Sequence, residues 1–222
     1  AAAKAVAGEE ALRSRSFVLA HGSSTPQNRV SESQIFDQVA ESFGITDWPV
    51  VAVKAYLGHT IAPASGDQLA TALGCFHYGV LPGIQTIDKV ADDVHQARLD
   101  IALQHRQRNP DDLDVAILNS KGFGGNNASA VVLSPGRTEA MMQKRHGEKA
   151  MAEYREKRRS SLAISRSYFE RADSGDYAPI YRFGEGMIAD SDITMDPAKV
   201  VIKGLVNAIE LPQSSQYQDM CD

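Results

Sequence analysis

Four short apolar runs constrain this chain more than any other feature: Phe17-Val18-Leu19-Ala20, Pro49-Val50-Val51-Ala52-Val53, Val115-Ala116-Ile117-Leu118 and Ala130-Val131-Val132-Leu133. Runs of this length, bounded by glycine and proline, read as buried strands. Between them, residues 30–43 carry Val30, Ile35, Phe36, Val39 and Phe43 at roughly helical spacing. Residues 67–78 fit a second helix, with an apolar face through Leu69, Ala70, Leu73 and Phe76 and Gly79 at its end. Strands that alternate with helices point to an α/β layered domain, closing near Ser134-Pro135-Gly136.

The remaining segments are less regular. Residues 1–15 are alanine-rich and helix-prone. Residues 80–87 are extended, 88–112 are polar, and Asn109-Pro110-Asp111-Asp112 is a turn. From Arg137 the composition shifts. Residues 138–171 are charge-rich and helical in propensity, with Met141, Met142, Ala150, Met151 and Tyr154 available for one face. Ser174-Gly175-Asp176 breaks that helix, and 177–211 mix extended and helical signals. The division expected is therefore 1–136 and 137–222.

A chain of 222 residues with 43% hydrophobic and 23% charged content can bury a sizeable core. Its net charge of -5 argues against a nucleic-acid or membrane-surface role. Cys75 and Cys221 make neither a disulfide framework nor a metal-binding spacing, so a reducing cytoplasm is the expectation, with no metal. No apolar stretch has the length of a membrane span. The start, Ala1-Ala2-Ala3-Lys4, has neither a signal-peptide core nor an initiator methionine, and reads as a processed or truncated product.

Three segments carry chemistry: Ala20-His21-Gly22-Ser23-Ser24-Thr25-Pro26, Lys54-Ala55-Tyr56-Leu57-Gly58-His59-Thr60 and Asn119-Ser120-Lys121-Gly122-Phe123-Gly124-Gly125-Asn126-Asn127-Ala128. Each follows an apolar run. Together they supply two histidines, a lysine and a glycine loop able to approach a ligand closely. They supply no convincing nucleophile. Cys75 lies inside a helix, on or near its apolar face, and reads as core, while Cys221 reads as tail. His77, His95, His105 and His146 lack such context and read as solvated or structural.

Over roughly residues 10–134 these segments, in this order and spacing, resemble the C-terminal half of a β-ketoacyl-[acyl-carrier-protein] synthase, a condensing enzyme of thiolase fold. The resemblance implies a thiolase-like half with a mixed five-stranded sheet and covering helices, followed by a helical and extended tail. It implies decarboxylative Claisen condensation of malonyl-ACP with an acyl thioester in fatty-acid or polyketide synthesis. His21 and His59 would hold the malonyl thioester carbonyl, with Lys54 beside them. Phe123, with Gly122 and Gly124, would gate the acyl entrance and complete an oxyanion hole. Ser23 and Thr25 would contact the phosphopantetheine arm, and Glu32 and Asn127 would be structural. No cofactor is implied beyond the phosphopantetheine of the carrier protein. The partners implied are acyl carrier protein, an N-terminal half bearing the catalytic cysteine, and a second copy in a homodimer.

Neutral imidazoles suit this chemistry. Loss of carbon dioxide leaves an enolate whose charge collects on the thioester oxygen, and preorganised N–H donors stabilise it. The sequence departs from the family in three places. Ala62-Pro63-Ala64-Ser65 replaces a Gly-Ala-Ala-Gly run, Lys121 replaces an aromatic, and Arg29 stands where an acid is common. Residues 137–222 run past the family's usual end. Lys144, Arg145, Arg155, Lys157, Arg158 and Arg159 offer a basic face for an acidic carrier. Two alternatives are a non-catalytic chain-length-factor-like subunit, which would not need both histidines, and a thiolase using CoA, which would carry a late Cys-Gly motif absent here.

Overall fold

The computed structural model describes residues 1–179 and 182–213, and the side chain of Phe123 lies outside that description, as does Cys221. The chain divides into two compact units, 1–156 and 157–222.

In the first unit two short helices, α1 (Ala2–Ala7) and α2 (Glu9–Ser14), lead into β1 (Ser16–Leu19). Then follow α3 (Pro26–Phe43), β2 (Trp48–Val51), the single turn α4 (Lys54–Leu57) and α5 (Ala64–Tyr78). Short strands β3 (Val80–Leu81), β4 (Leu99–Asp100) and β5 (Arg106–Gln107) precede the hairpin of β6 (Val115–Lys121) and β7 (Asn127–Leu133). The main sheet has five strands in the order β4-β2-β1-β6-β7. β1 pairs in parallel with both β2 and β6, while β6 and β7 are antiparallel, so the sheet is mixed as expected. All four apolar runs join it. The fifth strand, β4, comes from the segment read only as polar. Two residues, Leu99 and Asp100, leave no periodic trace in sequence.

Each sheet face carries its own core. Val18, Val50, Leu99 and Val115 face α3 and the N-terminal helices, with Phe36 packed edge-on to Trp48 at 6.2 Å. Phe17, Leu19, Val51 and Ala116 face α5, with Phe17 edge-on to Phe76 at 5.5 Å. Trp48 Nε1 donates to Ser16 Oγ at 2.9 Å, which satisfies a buried polar pair at the base of the sheet.

The buried faces of the two long helices differ from the sequence reading. α5 buries Ala64, Gln68, Ala72, Cys75 and Phe76, whereas Leu69 and Leu73 stay half exposed. α3 buries Glu32, Ser33, Phe36 and Ala40 and exposes Ile35 and Val39. Polar groups occupy both inner faces because they build the site, so hydrophobicity alone mis-phases the helices. The N-terminal helix is broken at Gly8, whose φ is 89°.

The helix α6 (Pro135–Asp173) begins in the first unit and is interrupted at Gly147, where φ is 79° and ψ 165°. Arg155 bridges back across that break to Glu139 at 2.6 Å and Glu148 at 2.8 Å. Arg155, one of the cations read as a basic face, is thus paired with carboxylates of its own helix. In the second unit three short antiparallel strands, β8 (Ile193–Met195), β9 (Lys199–Ile202) and β10 (Ile209–Glu210), form a meander. Among the described residues no helix is long and apolar enough to cross a membrane.

Candidate active site

The site lies at the carboxyl ends of β1, β2 and β6. His21 follows β1 directly and is buried, at 7% exposure. The chain then turns at Gly22, whose φ of 59° lies in the left-handed region; a Cβ there would stand 3.2 Å from Ala52 Cβ. Glu32, on the second turn of α3, caps this turn. Its carboxylate accepts from His21 N at 2.7 Å, Gly22 N at 2.9 Å, Asn28 Nδ2 at 3.1 Å and Asn119 Nδ2 at 2.6 Å. Four donors on one buried carboxylate fix the His21–Gly22 turn, α3 and the end of β6 to one another.

Lys54 enters from the end of β2. Its ammonium donates to the His21 carbonyl at 2.5 Å and stands 3.4 Å from His21 Nδ1. Burial pushes the Lys54 ammonium below the usual lysine range, against the pull of Glu32 and Asp67. His59 sits on the turn after α4. Its ring meets that of His21 edge to face, with centroids 5.1 Å apart and planes at 77°.

The tautomers follow from the donors. His21 Nδ1 accepts the backbone N–H of Lys121 at 3.2 Å, and His59 Nδ1 accepts that of Ile61 at 3.0 Å. A ring that accepts at Nδ1 carries its proton on Nε2. Both rings therefore present Nε2–H. Burial lowers the His21 pKa first, and the Lys54 ammonium lowers it further, so the ring stays neutral.

Around the pair is a cavity of about 310 Å³ whose lining includes His21, His59, Ile61, Lys121, Gly122 and Asn127. Of the residues read from sequence, His21, Lys54, His59 and Glu32 converge here, and Gly122 and Asn127 line the cavity. Asn127 Nδ2 donates to the Gly125 carbonyl at 3.1 Å, tightening the glycine loop. Gly124, at φ 75°, lies on the exposed loop. Ser23 and Thr25 sit on the loop entering α3, away from the cavity wall. Cys75 is buried in the α5 core, and burial pushes its thiol up to about 12. Among the described residues no group of three or more His, Cys, Asp or Glu side chains is placed to hold a metal.

Sequence reasoning missed two residues. Gln68, fully buried on α5, donates to the Ala20 carbonyl at 2.8 Å and the Asn119 carbonyl at 2.9 Å. Asn119 ties Glu32 to β6 and accepts from Ser129 Oγ at 3.0 Å. Asn119 opens the third quoted segment without being given a role there, and Gln68 lies in the helix read over 67–78, where only apolar positions were placed on a face.

Two imidazole rings that accept at Nδ1, a buried lysine and a glycine loop gather on the carboxyl edge of a mixed sheet of thiolase-like type. Comparison with known proteins agrees: residues 6–88 match the family described as Beta-ketoacyl synthase, C-terminal domain. The chain is homologous to the C-terminal part of beta-ketoacyl-[acyl-carrier-protein] synthases. Beta-ketoacyl-[acyl-carrier-protein] synthase FabY of Pseudomonas aeruginosa is 52% identical over 223 residues, a match covering 100% of this chain and 35% of that protein. The crystal structure of the FabY ketosynthase from P. aeruginosa superposes with a TM-score of 0.85 at 51% identity, covering 100% of this chain and 34% of that one. 3-oxoacyl-[acyl-carrier-protein] synthase 1 of Escherichia coli is 29% identical over 116 residues, 52% of this chain and 27% of that protein. The chain thus spans about a third of the length of the FabY protein and 27% of the Escherichia coli one. The FabY match runs through residues 137–222, so this segment has a counterpart there and is not peculiar to this chain.

Proposed function

We propose that this chain is the C-terminal part of a condensing enzyme that joins a malonyl thioester to an acyl thioester. The observation that carries the reading is the paired tautomer assignment: two Nε2–H donors, on rings 5.1 Å apart, open onto one cavity. A malonyl thioester bound there puts its carbonyl oxygen on both donors. The bond to the carboxylate breaks, carbon dioxide leaves, and the electron pair passes into the enolate, whose oxygen stays on the two N–H groups. The enolate carbon then attacks an acyl thioester, a carbon–carbon bond forms, and the thiolate leaves. Lys54 holds His21 in place and keeps it neutral.

The acylated thiol belongs to an N-terminal half of the enzyme, because Cys75 is buried and poorly ionised. Ile35 and Val39 on α3, and Leu69 and Leu73 on α5 over the opposite sheet face, leave each side with half-exposed apolar positions for a partner to cover. The further assignments complete the reading. Acyl carrier protein delivers the substrate, with its pantetheine arm along Ser23 and Thr25. Phe123 gates the acyl entrance, its N–H completing an oxyanion hole, and the glycines beside it permit its loop to move. The enzyme acts as a cytoplasmic homodimer without a further cofactor. The intact histidine pair favours a catalytic role over that of a chain-length-factor-like subunit.

The test is condensation of malonyl-ACP with an acyl donor by the complete enzyme. His21→Ala and His59→Ala each lower kcat by about 10²–10³. Near-normal turnover in either variant rejects the assignment. Condensing activity from residues 1–222 alone rejects the need for a second half.

A further inference from the structure

Among the described residues only Ser24 and Ile61 place a non-glycine residue in the left-handed backbone region, and Ile61 has φ 66°. That conformation is rare for a β-branched side chain, and strained residues gather at functional sites. The turn accounts for the backbone. Gly58, at φ 72°, ends α4. Thr60 Oγ1 is anchored to Asp67 Oδ2 on α5 at 2.5 Å. The Ile61 N–H then reaches back to His59 Nδ1 at 3.0 Å. Glycine or asparagine would hold that shape with less steric conflict. So the turn explains the dihedral angle, but not the isoleucine.

The side chain supplies the missing reason. It is 69% exposed, so burial in the core does not retain it, yet it lines the His21–His59 cavity. The nearby polar groups have their roles: both Nδ1 atoms accept backbone N–H groups, which leaves the Nε2–H groups as the rings' donors beside the cavity. Ile61 adds an apolar surface beside those donors, at a backbone cost that a smaller residue would avoid.

Resting on the condensing-enzyme reading, we propose that Ile61 is a specificity-determining residue whose side chain packs on the aliphatic segment of the thioester held by the histidine pair. The ligand chemistry is a short saturated carbon chain next to a thioester carbonyl. Two sources offer it, the acyl chain of the donor and the methylene arm carrying the malonyl unit.

The experiment uses the complete enzyme. Ile61→Gly and Ile61→Asn keep the left-handed backbone and remove the apolar surface, while Ile61→Leu keeps that surface. Each is assayed with acetyl, hexanoyl and decanoyl donors against malonyl-ACP, and across pH. Gly and Asn are expected to lose about tenfold in kcat/KM, with Leu retaining most of it. The pH profile stays as in the unsubstituted enzyme, because the N–H on His59 is kept. A loss that grows with donor length assigns the contact to the acyl chain. A loss confined to the KM for malonyl-ACP, equal for all donors, assigns it to the carrier arm. Unchanged kcat/KM in both Gly and Asn overturns the proposal. So does a loss in Leu as large as that in Gly, or a shifted acid limb, which would mark a disturbed histidine pair instead. An unsubstituted enzyme that condenses none of the donors rejects the condensing reading itself, and the proposal falls with it.

Discussion

Glu32 Oε1 accepts from Asn119 Nδ2 at 2.6 Å, a bond that ties helix α3 to the far end of β6 beneath the His21–Gly22 turn. Two further donors to the same carboxylate are the backbone N–H groups of His21 and Gly22. Glu32→Gln replaces one acceptor oxygen with an NH₂ group that faces N–H donors. The expected loss is about 3 kcal/mol of stability, since bonds to a buried charge are worth ~1.5–3 kcal/mol and stranded donors cost more. Urea denaturation measures it. A loss under about 1 kcal/mol would show that the turn holds without the carboxylate.

Lys54→Met removes the cation that, after burial, does most to keep His21 neutral. The His21 pKa should rise toward the usual histidine value. An NMR titration of the ring reads this directly, and the acid limb of condensation should move to higher pH with it. An unmoved His21 titration would separate the lysine from the electrostatics of the site.

His21 also predicts how stability depends on pH. Its folded value lies below that of the unfolded chain, which is about 6.5. Between the two values the unfolded state holds more protons, so stability rises with pH through that window. The contribution is complete above about 6.5 and is lost as pH falls toward the lowered folded value. His21→Gln should flatten this part of the curve in thermal melts taken from pH 5 to 7.

Gln68→Leu keeps the volume of a fully buried side chain and removes its donors to the Ala20 and Asn119 carbonyls. Two buried acceptors lose partners, so a destabilisation of about 2–3 kcal/mol is expected. The strands carrying His21 and Lys121 should also loosen. Faster amide exchange at Lys121, whose N–H bonds the His21 ring, is the specific sign.

Cys75 should resist alkylation. Its thiol is pushed up to about 12 and is 2% exposed. Iodoacetamide followed by peptide mapping should leave it unmodified in the folded protein and label it in urea. Acyl transfer to Cys75 would overturn the assignment of the nucleophile to another half of the enzyme.

Much of this architecture was legible in the sequence because its strands are short, apolar and closed by turn residues. The motifs brought His21, Lys54 and His59 together because each follows a strand of one sheet, while Glu32 reaches them from α3. The inner faces of α3 and α5 were harder to read. Glu32 and Gln68 take buried positions that a hydrophobic count gives to Ile35 or Leu69. β4 escaped because Leu99 and Asp100 pair with β2 through backbone bonds that two residues cannot announce. Ile61 escaped because a strained dihedral leaves no mark on composition.

The place of β1 has a consequence for how the protein comes into being. It lies between β2, which follows soon after it, and β6, which arrives much later in the chain. The bond from Lys121 N–H to His21 Nδ1 spans one hundred positions. Contacts of such separation form late, because a long loop must close before they are rewarded. During synthesis β1 can dock on β2 while its other edge stays open, and the His21 ring has no backbone donor to set its proton. The Nε2–H tautomer of His21 is therefore among the last features acquired, and a nascent chain that stops short of β6 has both histidines but lacks the donor that sets the His21 proton.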